Sequence, residues 1–545
     1  MMHRPTATGV MANIVRTWVR MMLRTFRDFG SRFILAFLIA GFAAVAVAQE
    51  HPGRPGGGER RAEQGQQGGQ GGGQGGGQGR PNQSGPGVLS LLPADSVTQH
   101  SIATPGGKLD YTATAGTFSL FDQSGERSAA VFYTAFVLKG APANRPVTFV
   151  FNGGPGAASA FLNLGLVGPR IAEFGDGGRD GSSVHLIDNP ETWLAFTDLV
   201  FIDPVGTGWS RAAKRDGGEA FWNVDADAES MAKVIALYVA KNSRVSSPKF
   251  ILGESYGGFR AAKVARALPH AQGISVNGIL MVSPMLEGAF QFGGTRFALG
   301  AALQLPSLAA AELERKGAFT REALAEAEHF ALTDYLTTLA GPPLQGDAAQ
   351  KFYARVAAFT GLPQDVIARQ RGFIGDAYVK ELHRDEQKIV SHYDATFASD
   401  DPNPETAAAR GPDPILDGLA RSYGSAFVAY ARDELGFKTE MTYNLLAGDI
   451  SGKWKWGSSR RQPSVNDDLR VLLALTPSFR LMIANGYSDM VTPFAVSRYV
   501  LDHLPTANGE GRTALKLYRG GHMFYLDPDS RKAFSADART MYAAP

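Results

Sequence analysis

The chain of 545 residues contains no cysteine. That excludes disulfides, thiolate metal sites, a cysteine nucleophile and lipid attachment at a mature N-terminal cysteine. An excess of charge is also missing: 54 basic and 52 acidic residues leave a formal net charge of +2, which gives no case for a nucleic-acid partner. The apolar run near the N-terminus, Phe33 to Ala48, falls short of the roughly 20 residues that span a bilayer. There is no His-Glu-x-x-His, no Walker loop and no cysteine–histidine cluster, and Gly206-Thr207-Gly208 is too short to argue a dinucleotide site. Neither a metal nor a cofactor is expected.

What is present begins with an address. Arg16, Arg20, Arg24, Arg27 and Arg32 precede the apolar run, which ends in Ala46-Val47-Ala48 before Gln49. A basic segment, a short apolar core and small residues at a cleavage position describe a secretory signal over 1–48. The expectation is export to the periplasm or beyond, with no stable membrane span after cleavage; Met21 or Met22 is an alternative start. Residues 49–87 are Gly, Gln, Arg and Pro with almost nothing apolar, so they read as a disordered linker. Folded protein is expected from Val88, and 44% hydrophobic residues can build a substantial core.

The folded part alternates strand and helix patterns. Tyr111 to Leu138 reads as antiparallel edge strands broken at Asp122 to Ser128. Arg145 to Phe151, Asp198 to Ile202, Lys249 to Leu252 and Gly278 to Val282 read as buried strands, with a helix over Asp225 to Lys241. This predicts an α/β fold: a mixed, mostly parallel sheet with helices on both faces. Between Leu286 and Arg470 the rhythm turns helical, over Ala309–Gly317, Arg321–Leu339, Ala348–Thr360 and Ile415–Leu435. We read 88–285 and 471–545 as two parts of one α/β core and 286–470 as a helical lid inserted between them. The sheet resumes at Phe479 to Ala484 and Ala514 to Tyr518.

One stretch organises the rest. The apolar strand Lys249 to Leu252 meets Gly253-Glu254-Ser255-Tyr256-Gly257, and Phe259 to Leu268 reads as a helix. A sharp strand-to-helix turn lifts a serine hydroxyl clear of the sheet, with glycines where the two backbones crowd, so Ser255 is the candidate nucleophile. Its base must be one of ten histidines. His329, His383 and His392 fall on the lid, His270 and His503 follow helices, and His100 and His185 read as loop residues. His522 stands apart: Gly520-Gly521-His522 directly follows the strand ending at Tyr518. Asp489 lies just past the strand ending at Ala484. Either residue alone would read as a turn or surface position. Together they fall at the carboxyl edge of one sheet, in the chain order Ser255, Asp489, His522 that an α/β-hydrolase uses. One oxyanion-hole amide is expected at Tyr256, and the other in the glycine-rich loop Asn152-Gly153-Gly154-Pro155-Gly156.

Here the sequence resembles a family. Asn152-Gly153-Gly154-Pro155-Gly156, Asp203-Pro204-Val205-Gly206-Thr207-Gly208-Trp209-Ser210, Gly253-Glu254-Ser255-Tyr256-Gly257-Gly258 and Gly521-His522-Met523 together resemble the serine carboxypeptidases, as does Asn189-Pro190-Glu191-Thr192-Trp193. The similarity runs from about Tyr111 to Phe534. It implies an α/β-hydrolase fold and an exported peptidase acting on peptides with a free C-terminus. By the same resemblance the amides of Gly154 and Tyr256 form the oxyanion hole, and Asn152 and Glu254 bind the substrate's terminal carboxylate. Two carboxyl groups share a hydrogen bond only when one is protonated, so Glu254 should favour acidic conditions. The family commonly has a tryptophan where this chain has Val150, a tyrosine and a proline in the stretch that here reads Phe259-Arg260-Ala261, and disulfides that are absent here. An esterase or acyltransferase on the same frame, or a non-catalytic envelope binding protein, are the alternatives.

Overall fold

The computed structural model describes residues 87–178, 180–457, 462–505 and 511–543. The expected signal and the expected linker, up to residue 86, lie outside them. Among the described residues no helix is long and apolar enough to cross a membrane.

Three antiparallel strands open the fold: β1 (Ser96–Thr104), β2 (Gly107–Phe121) and β3 (Arg127–Leu138). There follow β4 (Val147–Phe151), the separate hairpin β5 (Arg170–Phe174) and β6 (Asp180–Asp188), then β7 (Asp198–Ile202), β8 (Arg211–Ala212), β9 (Lys249–Glu254) and β10 (Gly278–Val282). The insertion carries the short pair β11 (Lys388–Val390) and β12 (Ala398–Asp400). The sheet is completed by β13 (Arg480–Gly486) and β14 (Thr513–Tyr518). Its order is β1-β2-β3-β7-β4-β9-β10-β13-β14, with β8 beside β3, and every pairing from β7 to β14 is parallel. The α/β-hydrolase fold expected from the sequence is the fold observed.

Strands β4, β7, β9 and β10 are buried along their whole length because both faces are covered. Along β9 the alternation divides the core: Ile251 packs with the helices Val224–Lys241 and Tyr256–Gln272, whereas Phe250 and Leu252 pack with Tyr423–Asp433 and Pro528–Ala543. A further apolar cluster, around Leu305, Leu308, Phe330 and Val356, is built mostly from the insertion and takes in Met490 beyond β13.

Several local expectations need correction. His100 and His185 lie on β1 and β6, not in loops. β1 escapes a pattern reading because Val97 and Ile102 are its only large apolar residues, and it is held by its hairpin with β2. The helix expected at Ala309 begins at Ala298 and runs through Pro306, because its face is buried in the insertion and tertiary packing overrides propensity. The helix expected from Ile415 starts only at Tyr423. There the Asp413 carboxylate accepts the amides of Ile415 (2.9 Å) and Leu416 (3.1 Å), a local turn that competes with helix.

Candidate active site

The turn between β9 and the helix Tyr256–Gln272 is a single residue, Ser255, at φ 59°, ψ −125°. Positive φ strains a residue with a Cβ, and the surrounding close packing holds it there. A Cβ on Gly253 would sit 2.0 Å from the Gly257 carbonyl oxygen, and one on Gly257 would sit 2.6 Å from that of Phe151. The glycine-rich loop after β4 lies directly on this turn, since a Cβ on Gly153 would meet the Tyr256 amide nitrogen at 2.6 Å. Among the described residues neither the Gly154 nor the Tyr256 amide donates to a protein acceptor. Unused amides next to a nucleophile are what an oxyanion requires.

Register sets the next pair. Phe151 of β4 lies opposite Gly253 of β9, so Asn152 and Glu254 leave adjacent strand ends side by side. The Asn152 Oδ1 accepts the Leu162 amide (3.0 Å), which turns Nδ2 toward Glu254 Oε2, to which it donates. The Tyr525 hydroxyl donates to Glu254 from the other side, 2.9 Å from Oε1 and 3.1 Å from Oε2. Glu254 is only 4% exposed. Burial pushes its carboxyl up to about 7, against the lowering effect of His522, Tyr525 and Asn152.

His522 and Asp489 meet beyond β14 and β13, with Nδ1 2.9 Å from Oδ2. Asp489 is fully buried, and its Oδ1 accepts the amides of Val491 (2.8 Å) and Thr492 (2.9 Å). The Thr492 hydroxyl lies 2.7 Å from Asp489 Oδ2 and 2.9 Å from the Ser283 carbonyl. Burial alone would lower the imidazole, but the charge and hydrogen bond of Asp489 outweigh it and the net shift is upward. The backbone at His522 is pinned as well: its N–H donates to the Tyr393 carbonyl (2.5 Å), and its carbonyl accepts from Ser283 Oγ (2.8 Å). The Tyr393 ring meets the imidazole edge-on at 5.1 Å. With Nδ1 committed to Asp489, Nε2 is the nitrogen left for Ser255. Among the described residues no hydrogen bond joins the Ser255 hydroxyl to His522; such bonds are often long before substrate binds and tighten in the complex.

Asn152, Gly154, Glu254, Ser255, Tyr256 and His522 all line one cavity of about 200 Å³, with Asp489 behind His522. The insertion supplies Phe292, Tyr393, Leu416 and Trp456 to its wall. Val150, where the family commonly has tryptophan, is packed in the core and is not among the lining residues.

Sequence reasoning missed Thr492, Tyr525, Tyr393 and Ser283. Thr492 follows Asp489 by three residues, a spacing at which an aspartate accepts local hydrogen bonds. The other three carry no sequence signal. Arg260, noted only as a departure, is a buried clamp. Its Nε donates to Asp227 Oδ2 (2.7 Å) and its Nη1 to the Asn152 carbonyl (2.6 Å), with the guanidinium 4.9 Å from the Tyr256 ring centre. Arg260→Met is expected to strand the Asp227 charge in the core and cost about 3–5 kcal/mol. Denaturant unfolding measures it, and an unchanged midpoint would show the pair to be dispensable.

The serine carboxypeptidase family profile matches residues 109–523. Carboxypeptidase Y homolog A of Talaromyces stipitatus is 27% identical over 179 residues, 32% of this chain and 30% of that protein. Serine carboxypeptidase-like 51 of Arabidopsis thaliana is 33% identical over 125 residues, 22% of this chain and 24% of that protein. The matched stretches thus span about a quarter to a third of these relatives. Among solved structures, Kex1(delta)p, a prohormone-processing carboxypeptidase from Saccharomyces cerevisiae, superposes with a TM-score of 0.52 at 16% identity, covering 84% of this chain and 95% of that one, which shows the fold. The family profile takes in the glycine loop after β4, the serine turn after β9 and His522 after β14, and on that match the chain belongs to the serine carboxypeptidase family.

Proposed function

We propose that the protein is a serine carboxypeptidase that releases the C-terminal residue of peptides through an acyl-enzyme on Ser255. The observation that carries this reading is Glu254: a buried carboxyl, backed by Asn152 and next to the serine, lining the same cavity as His522. An ordinary esterase has no use for an acid there, whereas a peptide's terminal carboxylate needs a proton donor and an amide.

In this mechanism Ser255 Oγ attacks the scissile carbonyl while His522 Nε2 takes its proton, and Asp489 stabilises the imidazolium. The Gly154 and Tyr256 amides receive the developing oxyanion. The intermediate collapses as His522 protonates the leaving amine, and the C-terminal amino acid departs. Water, deprotonated by His522, then hydrolyses the acyl-enzyme. Asn152 and protonated Glu254 hold the terminal carboxylate until the amino acid that carries it departs. The helical insertion acts as a lid, and export through the N-terminal basic–apolar segment belongs to the same reading.

The wall supplied by the insertion is mostly apolar, and Glu254 and His522 are the ionisable acid and base lining the cavity among the described residues. A charged side chain on the acyl side of the scissile bond would be desolvated without a partner. Blocked dipeptides with Phe or Leu there are expected to exceed those with Arg or Asp in kcat/KM by about tenfold or more. Equal rates would place that side chain outside the cavity. The reading as a whole is tested by comparing a blocked dipeptide with its C-terminal amide, alongside labelling of Ser255 by a fluorophosphonate. Labelling without discrimination between acid and amide would favour the esterase or acyltransferase reading; no labelling would favour a binding protein.

A further inference from the structure

Glu254 is held by more than its neighbour Asn152. The Tyr525 hydroxyl spans both of its oxygens, at 2.9 and 3.1 Å, and the tyrosine is itself fully buried. Burial holds the phenol well above its ordinary range, so it stays protonated and donates. Tyr525 belongs to the short turn Phe524–Leu526, which starts two residues after His522, so one segment carries both the imidazole and this contact. We propose that Tyr525 is a positioning residue for terminal-carboxylate recognition: its hydroxyl seats Glu254 against Asn152 and sets the highest pH at which free-acid peptides are taken.

The inference rests on the carboxypeptidase reading. A hydroxyl donating to a carboxylate favours its ionised form, and the ionised form repels a second carboxylate. The groups that bear on Glu254 come from several elements: His522 and Tyr525 after β14, Asp489 after β13, Tyr393 from the insertion and Tyr423 from the helix Tyr423–Asp433. His522 and the two hydrogen-bond donors, Tyr525 and Asn152, favour the anion; Asp489 and burial oppose it. Burial keeps the phenols of Tyr393 and Tyr423 neutral. Loss of the Tyr525 hydroxyl therefore removes one stabiliser of the anion and leaves the carboxyl protonated to higher pH.

The test is Tyr525→Phe in the full chain, with kcat/KM measured against pH for a blocked dipeptide and for its C-terminal methyl ester. For the free acid, the alkaline limb is expected to move up by roughly one pH unit, the worth of a hydrogen bond to a charged group. KM below that limb should rise as the carboxyl loses its seat. The ester profile should keep its wild-type pH dependence. A free-acid limb that stays put, or an equal shift for acid and ester, would overturn the inference. Glu254→Gln supplies the control: in that background the limb specific to the free acid disappears, and adding Tyr525→Phe moves nothing further. A further shift in the double variant would place the Tyr525 effect elsewhere. Wild-type enzyme that treats acid and ester alike across the pH range would instead sink the carboxypeptidase reading itself, a different outcome from a silent Tyr525→Phe.

Discussion

Ser255→Ala is expected to abolish fluorophosphonate labelling and to lower kcat on peptides by roughly 10⁴-fold or more, with the amide donors of Gly154 and Tyr256 sustaining only a residual rate. The fold should survive, because the turn is held by backbone contacts: Ser255 N–H on the Val282 carbonyl (2.9 Å) and the Met285 amide on the Ser255 carbonyl (3.1 Å). Asp489→Asn should cost about as much as it does in comparable triads, roughly 10⁴-fold, since the amide cannot stabilise the imidazolium. Its amide NH₂ would also face donors that Asp489 now accepts from. Retention of more than a tenth of wild-type kcat in Ser255→Ala would remove the acyl-enzyme from the mechanism. Single-turnover assays on matched folded samples make the measurement.

The second large effect is in the pH profile. In the proposed mechanism, peptide binding requires Glu254 protonated, and attack requires His522 neutral. Glu254 sits at about 7 because of its burial. Burial lowers His522, but Asp489 more than offsets that and carries the imidazole above its ordinary value of 6.5. The two limbs therefore face each other, and they belong to a coupled pair, since the imidazolium charge favours ionised Glu254 and the reverse. For a free-acid substrate kcat/KM should follow a narrow bell, with an alkaline limb near pH 7 along which KM rises about tenfold per unit. For the ester of the same peptide no second carboxylate is present, so that limb should vanish and the rate should hold to higher pH. Sequence reasoning pointed to acidic conditions through Glu254 alone; the raised imidazole adds an acid limb that moves the expected optimum toward neutrality. Superimposable acid and ester profiles would show that Glu254 does not meet the substrate's carboxylate.

Much of the frame was legible because its signals are local. β7 and β10 follow their apolar runs closely, since a strand covered on both faces is apolar along nearly all its length; Asp198 at the start of β7 is the buried exception, paired with Arg145 and Arg244. The strand–serine–helix turn and the glycine loop announced themselves because only glycine fits where two backbones nearly touch, as at Gly253 and Gly257. Helix ends were less legible. Pro306 reads as a breaker yet sits inside a buried helix, while Asp413 delays a helix that the apolar spacing places at Ile415.

From residue order alone came the alternation of strand and helix, the serine on its turn, and an acid and a base after later strands. Each of these depends on a few consecutive residues, whose spacing and lack of side chains dictate the local backbone. Three-dimensional packing decided the rest: Tyr525 on a carboxyl 271 residues away, Tyr393 against His522, Arg260 gripping the Asn152 carbonyl, and an apolar wall drawn from the insertion. Those contacts form where distant segments converge at the carboxyl edge of the sheet, and burial there, absent from any short stretch of chain, is what moves Glu254 far from an ordinary carboxylic acid.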